Sequence, residues 1–182
     1  MNQDAEQSLK EFEKEVRNQF SFLETEYGYS VEGLLLLDYE YPLDARAVMR
    51  YIGRVGVEVE MSLGSIVVSL YELDNGRVPE RLSFYGDKGY ARGISLDSLV
   101  RTVTHDAVKS PLPELIYQIS NAEMYRRAAK SSDLIRTKKK EILEAYTDRL
   151  KRYASEILKG DTAIFPEVQE DHRRLYAPWL PG

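Results

Sequence analysis

The N-terminal segment shows the most regular pattern of hydrophobic and polar positions in the chain. Apolar residues recur there at intervals of three or four: Leu9, Phe12, Val16, Phe20 and Leu23. Because this spacing places them on one face of a helix, it predicts an amphipathic helix over residues 1–28. Asp4 is the expected N-cap, and Gly28 stands where a left-handed residue would end the helix.

Residues 31–90 change to a period of two, which predicts β-strands. Residues 31–41 form the first expected strand. In residues 55–61, valines alternate with Glu58 and Glu60. One face of this strand should therefore be buried and the other solvated, as is common in antiparallel sheets.

Short turns join the expected strands. A turn centred near Arg54 pairs the residues before it with 55–61, and residues 64–73 predict a further strand. Asn75-Gly76 is a strong hairpin dipeptide that leads toward a strand at 81–85. Because these connections leave no room for crossover helices, the pattern disfavours a doubly wound nucleotide-binding sheet and predicts an antiparallel meander of four or five strands.

The C-terminal half returns to helical spacing. Ser95 is a favourable N-cap, and Pro113 favours the first turn of a second helix. Ser131-Ser132-Asp133 offers a new cap for a long helix over residues 134–159, which Gly160 ends.

Together these segments predict an α+β fold in a single domain over residues 1–182. An N-terminal helix packs on the meander, and a C-terminal helical region with one long helix follows. With 43% hydrophobic and 30% charged residues, the chain has the composition of one globular domain. The expected division is helix, antiparallel sheet, helical region and irregular tail, at 1–28, 31–90, 95–176 and 177–182.

The composition also limits the classes of function. The chain has no cysteine, which excludes disulfides and thiolate-based catalytic or metal sites. Its N-terminus is polar and acidic, and its longest apolar run, Leu34–Leu37, is far too short to cross a membrane. We therefore expect a cytoplasmic protein without a membrane partner.

Motifs for catalysis or cofactor binding are missing from the sequence. His105 and His172 do not stand in a metal-ligand spacing, and the glycines form no phosphate-binding loop. Gly64-Ser65 lacks the pattern of a nucleophile elbow. We therefore predict no cofactor, no metal and no catalytic residue, and favour a function that is not enzymatic.

Charge is distributed unevenly along the chain, although the net charge is only −5. Residues 1–45 carry three basic and eleven acidic side chains, whereas residues 101–160 carry thirteen basic and eight acidic ones. Two interpretations stay open: each region binds a partner of opposite charge, or the two regions attract each other.

Carboxylates of the expected sheet form the first candidate site. They are Asp38, Glu40, Glu58 and Glu60. Paired carboxylates can bind a divalent cation, act as acid and base, or contact a basic protein partner. The alternative is structural, because the predicted hairpin places Arg50 opposite Glu58 as a cross-strand ion pair.

A basic stretch in the helical region forms the second candidate site. Its members are Arg126, Arg127, Lys130, Arg136, Lys138, Lys139 and Lys140. Such a stretch can contact the phosphates of DNA or RNA. The acidic net charge and the lack of interleaved aromatic residues favour a solvated helix face instead.

Aromatic residues supply two further candidates. An apolar seam follows the long helix: Leu143, Tyr146, Leu150, Tyr153 and Ile157. Tyr146 and Tyr153 on this seam belong either to the core, which we favour, or to a dimer interface. The tail carries Trp179, which either docks on its own domain or contacts a partner, since aromatic side chains are enriched at protein interfaces.

The general form of the chain resembles immunity proteins of bacterial toxin systems, and three of its segments resemble parts of small bacterial α+β proteins. The three segments are Phe20–Tyr29, Tyr51–Glu60 and Leu158–Pro166. The resemblance implies a helix, an antiparallel meander and a helical end, together with binding to a protein partner. It rests on structural positions, such as Phe20 in the core and Gly28 at a helix end, and implies no functional residue.

We therefore hypothesise a non-catalytic protein-binding module of the immunity or antitoxin type. Its candidate contact residues are Asp38, Glu40, Glu58, Glu60 and Trp179. A nucleic-acid-associated factor that uses the basic helices and a metal-dependent enzyme that uses the sheet carboxylates are the alternatives. A homodimer is a further possibility for the partner.

Overall fold

Five antiparallel strands and six helices make up the part of the chain that the computed structural model describes, residues 3–37, 46–62, 64–79, 93–105 and 121–176. The strands are β1 (Ser30–Leu37), β2 (Arg46–Ile52), β3 (Gly56–Ser62), β4 (Ser65–Tyr71) and β5 (Gly93–Ser95). The helices are α1 (Gln3–Gln19), α2 (Ser21–Tyr27), α3 (Leu96–Thr104), α4 (Asn121–Tyr153), α5 (Ser155–Leu158) and α6 (Phe165–Tyr176). The predicted α+β class is confirmed.

The strands follow one another across the sheet in the order β1-β2-β3-β4-β5, so the predicted meander is confirmed. A three-residue turn at 53–55 joins β2 to β3 and places Arg50 opposite Glu58. Asn75 and Gly76 both have positive φ, at 51° and 76°, which is the conformation of a type I′ turn. The strand expected at 81–85 lies outside the described residues, and β5 was not anticipated.

The N-terminal helix is interrupted once, contrary to prediction. Phe20 has φ −99° and ψ 9°, which ends α1 and starts α2. After this break both Phe22 and Leu23 are buried. The predicted stripe of one continuous helix contains Leu23 but not its neighbour Phe22. Asp4 lies inside α1 and is not its N-cap, whereas Gly28 ends α2 with φ 70°, as predicted.

Helix α4 consists of two helical segments that meet at a kink at Lys138, where φ is −129° and ψ is 23°. The predicted boundary at Ser131-Ser132-Asp133 is wrong, because these residues lie inside the first segment. Serine is favoured at N-caps, but tertiary packing overrides this local preference, and Ser131 is fully buried here. The helix expected over 134–159 breaks at Ala154.

The main core lies between the sheet and the helices. The seam of α4 faces this core, with Leu143, Tyr146 and Leu150 buried and Tyr153 partly buried against it. The Tyr146 hydroxyl donates to the Ile66 carbonyl oxygen of β4 at 2.9 Å. The core interpretation of the seam is therefore correct.

Gly64, in the turn between β3 and β4, is expected to resist substitution. Its φ is +73°, and an added Cβ would lie 2.8 Å from the Ala128 carbonyl oxygen of α4. We expect Gly64→Ala to lower the free energy of unfolding by about 1–3 kcal/mol, measured by chemical denaturation.

Gly76→Ala is the matched control for this variant. Gly76 has a similar φ of +76°, but an added Cβ meets no atom within 4 Å. The control therefore measures the backbone cost alone, and the difference between the two variants measures the contact with α4. Equal losses would show that α4 does not press on this turn.

Candidate functional site

Several polar side chains meet at the junction of α3 and α6. Helix α3 starts at Ser95, whose Oγ accepts the Ser98 backbone N–H at 3.1 Å, so the predicted N-cap is confirmed. Helix α6 is anchored by Phe165 and Val168, which are buried in the core. Its Gln169 Nε2 also donates to the Gly93 carbonyl oxygen of β5 at 3.2 Å.

The Ser98 hydroxyl is the centre of a hydrogen-bond cluster at this junction. The Ser95 hydroxyl donates to Ser98 Oγ at 2.8 Å, and Arg101 Nη2 donates to it at 3.3 Å. Ser98 Oγ also lies 3.1 Å from His172 Nδ1 on α6. A hydroxyl has two acceptor lone pairs and one hydrogen, so this hydrogen is left for His172. His172 Nδ1 is therefore the acceptor, and the ring proton is on Nε2.

This arrangement holds His172 in its neutral form. Burial lowers the pKa of His172, and the positive charge of Arg101 lowers the pKa further. The hydrogen bond from Ser98 acts in the same direction, because a protonated Nδ1 could not accept it.

The Ser98–His172 pair does not have the geometry of a nucleophile and its base. Ser98 is only 4% exposed. Both lone pairs of its Oγ accept hydrogen bonds, whereas attack on a substrate needs one of them free. The pair joins two helices, and we assign it a structural role in the resting protein.

A shallow surface depression lies beside this cluster. Arg101 and His105 of the α3 end and Asp171 and Arg174 of α6 line it. His105 adopts the left-handed conformation, with φ 56°, and ends α3. Both histidines of the chain thus come to one junction, a juxtaposition that their spacing in the sequence does not reveal.

A second polar cluster links α3 to α4. Asp97 Oδ1 accepts from Arg149 Nη1 at 2.8 Å, and Asp97 Oδ2 lies 3.5 Å from the Tyr146 hydroxyl. Burial raises the pKa of Asp97, while Arg149 and Tyr146 oppose this rise. The carboxylate is therefore held between two protein groups and joins α3 to the long helix.

The sheet carboxylates are not on a solvated face, which corrects the prediction. Glu58 is 1% exposed and Glu60 is 7% exposed. Arg50 Nη2 lies 2.6 Å from Glu58 Oε1, as the hairpin register predicted, and Arg46 Nη1 lies 3.2 Å from Glu60 Oε1. The cross-strand arginines thus enclose both carboxylates. Asp38 and Glu40 lie outside the described residues.

The basic stretch is mostly at the surface of α4. Five of its side chains are exposed and two, Arg127 and Lys139, are half-buried; the exposed ones are Arg126, Lys130, Arg136, Lys138 and Lys140. Arg136 pairs with Asp133, and Lys138 lies 3.9 Å from Glu141. Trp179 lies outside the described residues.

The uneven charge of the chain is partly compensated within the protein. Lys139 of α4 lies 3.9 Å from Glu11 of α1, and Lys151 of α4 lies 3.9 Å from Glu26 of α2. These pairs favour the interpretation that the acidic and basic regions attract each other.

In the described part of the chain, no group of three or more His, Cys, Asp or Glu side chains is arranged to hold a metal ion. None of the helices described there has the length and apolar character needed to span a membrane.

Sequence reasoning missed the cluster around Ser98. Ser95 was recognised as a cap and His172 as a lone histidine, but 74 residues separate Ser98 from His172. Only the weak signal of helical spacing, Ser98 and Arg101 three residues apart, marks the polar face of α3.

A comparison of the chain with models of protein families, with curated proteins and with solved structures gives no match.

Proposed function

We propose that this chain is a non-catalytic protein-binding module, of the immunity or antitoxin type, that binds an extended segment of a partner protein at the outer edge of β1. The observation that carries the proposal is the uncharged edge at Leu34–Leu37, where Leu36 is 50% exposed.

Strand β1 lies at one end of the sheet, and among the described residues only β2 pairs with it. Its register with β2 is regular from Gly33 to Leu37. A regular edge strand offers backbone N–H and C=O groups to a further strand, which is how many domains bind extended peptides.

The two halves of β1 differ in how well they are protected against such pairing. In the first half, the register shifts between Val31 and Gly33, and Gly33 has φ +91°. Glu32 is paired there with Arg50 at 3.3 Å. Bulges and charges are the usual devices that protect edges. The second half has neither device and is the part suited to strand addition.

Leu36 provides an apolar contact beside this edge. It pairs with Ala47 of β2, whose side chain belongs to the core, so Leu36 lies on the same face of the sheet as the helices. Its exposure shows that the helices leave this corner of the face uncovered. A partner strand placed there would bury Leu36.

The polar clusters support a binding role over a catalytic one. The Ser98 hydroxyl and the Glu58 carboxylate are both buried and both hydrogen-bonded to neighbouring side chains. Polar groups that are enclosed in this way stabilise the fold and are poorly placed to meet a substrate.

A substitution at Leu36 tests the proposal. We expect Leu36→Lys to abolish capture of the partner from lysate of the native host, because a charge blocks strand addition and the apolar contact is lost. The free energy of unfolding should change by no more than about 0.5 kcal/mol, since the side chain is already half exposed. Mass spectrometry after nuclease treatment identifies the captured protein.

Val103→Lys is the matched control, since Val103 is 44% exposed but lies on α3. The proposal requires one stoichiometric partner that binds the unmodified chain and the Val103 variant and is lost with Leu36→Lys. Equal capture by all three proteins would refute it. Recovery that disappears with nuclease would instead favour nucleic acid on the basic stretch of α4, and self-association alone would favour a homodimer.

A further inference from the structure

One hydrogen bond between α3 and α6 requires a neutral histidine as its acceptor. The Ser98 hydroxyl already accepts from Ser95 and Arg101, so it can meet His172 only as a donor. If His172 Nδ1 were protonated, its hydrogen and the hydroxyl hydrogen of Ser98 would both point into the space between Nδ1 and Ser98 Oγ. The contact would then be lost unless Arg101 withdrew from Ser98.

We propose that the Ser98–His172 pair is a pH-sensitive clamp, which holds the C-terminal half of α6 against α3 when His172 is neutral and releases it when His172 is protonated.

The position of His172 along α6 determines which part of the helix is released. The apolar anchors Phe165 and Val168 lie at the start of α6, and Gln169 bonds to β5 immediately after them. His172 is the next contact along the helix that reaches α3 through a side-chain hydrogen bond. Loss of this bond leaves the anchors at the start of α6 in place and removes a side-chain hydrogen bond that ties the later turns to α3.

The charged surroundings of His172 favour release on protonation. The elements packed against α6 are α3 and β5. Helix α3 contributes Asp97, which is paired with Arg149, and Arg101, which lies beside Ser98. His105 stands at the end of α3, and β5 carries no charged residue. Helix α6 itself carries the charged residues Glu167, Glu170, Asp171, Arg173 and Arg174.

Among these groups, Arg101 acts on His172 and repels a protonated ring. Arg173 and Arg174 are both paired with Glu170, at 3.1 Å and 3.2 Å. Asp171 is the acidic neighbour in sequence that would oppose the repulsion.

The direction of the pH dependence follows from the lowered pKa of His172. The unfolded chain binds a proton at the ordinary histidine pKa of about 6.5, whereas the folded chain resists protonation until a lower pH. The contribution of the clamp to stability is therefore complete above this unfolded pKa and is lost as pH falls below it.

Two measurements on the intact protein test the clamp. In an NMR titration, we expect the ring of His172 to protonate at a lower pH than the ordinary histidine pKa of about 6.5. In hydrogen exchange, corrected for intrinsic rates, we expect the amides of residues 172–176 to open more often at about pH 5 than at about pH 7.5. The opening equilibrium constant of these amides should increase by up to about tenfold for each unit by which the pKa of His172 is lower in the folded than in the unfolded chain. Amides of α1 report global unfolding and should change less.

Two variants distinguish the clamp from general acid destabilisation. His172→Asn keeps an acceptor oxygen near the position of Nδ1 but cannot be protonated, so residues 172–176 should lose their pH dependence. His105→Asn removes the other histidine at a left-handed position that asparagine tolerates, and the pH dependence should remain. The proposal is overturned if His172 titrates at or above the ordinary histidine pKa, if α6 opens equally at both pH values, or if His172→Asn keeps the dependence.

Discussion

Arg50→Met is expected to lower the free energy of unfolding by about 3–5 kcal/mol, because it removes the opposite charge and the hydrogen bonds that Arg50 provides to the buried Glu58 carboxylate. Arg50 bonds to Glu58 through two nitrogens, Nε at 2.9 Å and Nη2 at 2.6 Å. Methionine keeps the apolar stem of the side chain and removes the charged guanidinium group with its hydrogen-bond donors. Urea denaturation of the two proteins measures the loss.

An exposed ion pair provides the comparison for this prediction. Arg17 lies 3.0 Å from Glu13 on α1, with both side chains well exposed. Arg17→Met should cost no more than about 0.5 kcal/mol, the usual value of a surface pair one helical turn apart.

The double variant Arg50→Met/Glu58→Leu should recover most of the stability that Arg50→Met loses, since apolar replacement of a buried pair is often neutral. Similar small losses at both sites would show that Glu58 reaches solvent.

Phe20→Ala is expected to cost about 3–5 kcal/mol, the largest loss that we predict for an apolar residue. Phe20 is fully buried at the break between α1 and α2. Its ring stacks on Tyr51 of β2 at a centroid distance of 6.3 Å and lies 6.4 Å from the ring of Phe22. Its removal therefore leaves a cavity where both helices meet the sheet.

Phe20→Leu controls for the loss of apolar volume. Leucine fills part of the same space and should lose less than half as much stability as alanine. Thermal denaturation followed by circular dichroism compares the three proteins. If alanine and leucine cost the same, the stacking on Tyr51 rather than the filled volume would stabilise this site.

Local patterns predicted the elements whose partners are close in sequence. The stripe of the first helix and the end at Gly28 are both visible within one segment, since they depend on helical periodicity and on the freedom of glycine. The pairing of Arg50 with Glu58 followed from the turn between them, eight residues apart. Short separations leave few alternative registers, which is why these predictions are correct.

Features that depend on distant packing could not be predicted in this way. The break at Phe20 follows from the burial of its ring against Tyr51, and the continuity of α4 through Ser131 follows from its passage over the turn at Gly64. Alternation alone predicts a wet face for Glu58, whereas the folded chain buries this carboxylate beside Arg50 of the neighbouring strand. The Ser98–His172 contact also depends on packing between segments that are distant in the sequence.

Side-chain contacts across the whole sequence have a consequence for synthesis on the ribosome. The Tyr29 hydroxyl donates to the Leu158 carbonyl oxygen, 129 residues later, and Thr147 reaches the Gln19 carbonyl oxygen across 128 residues. At translation rates of about 5–20 residues per second, the first helix therefore waits about 6 to 26 s for its C-terminal neighbours. During that time its apolar stripe is open to chaperones, and final folding is expected only after most of the chain has emerged.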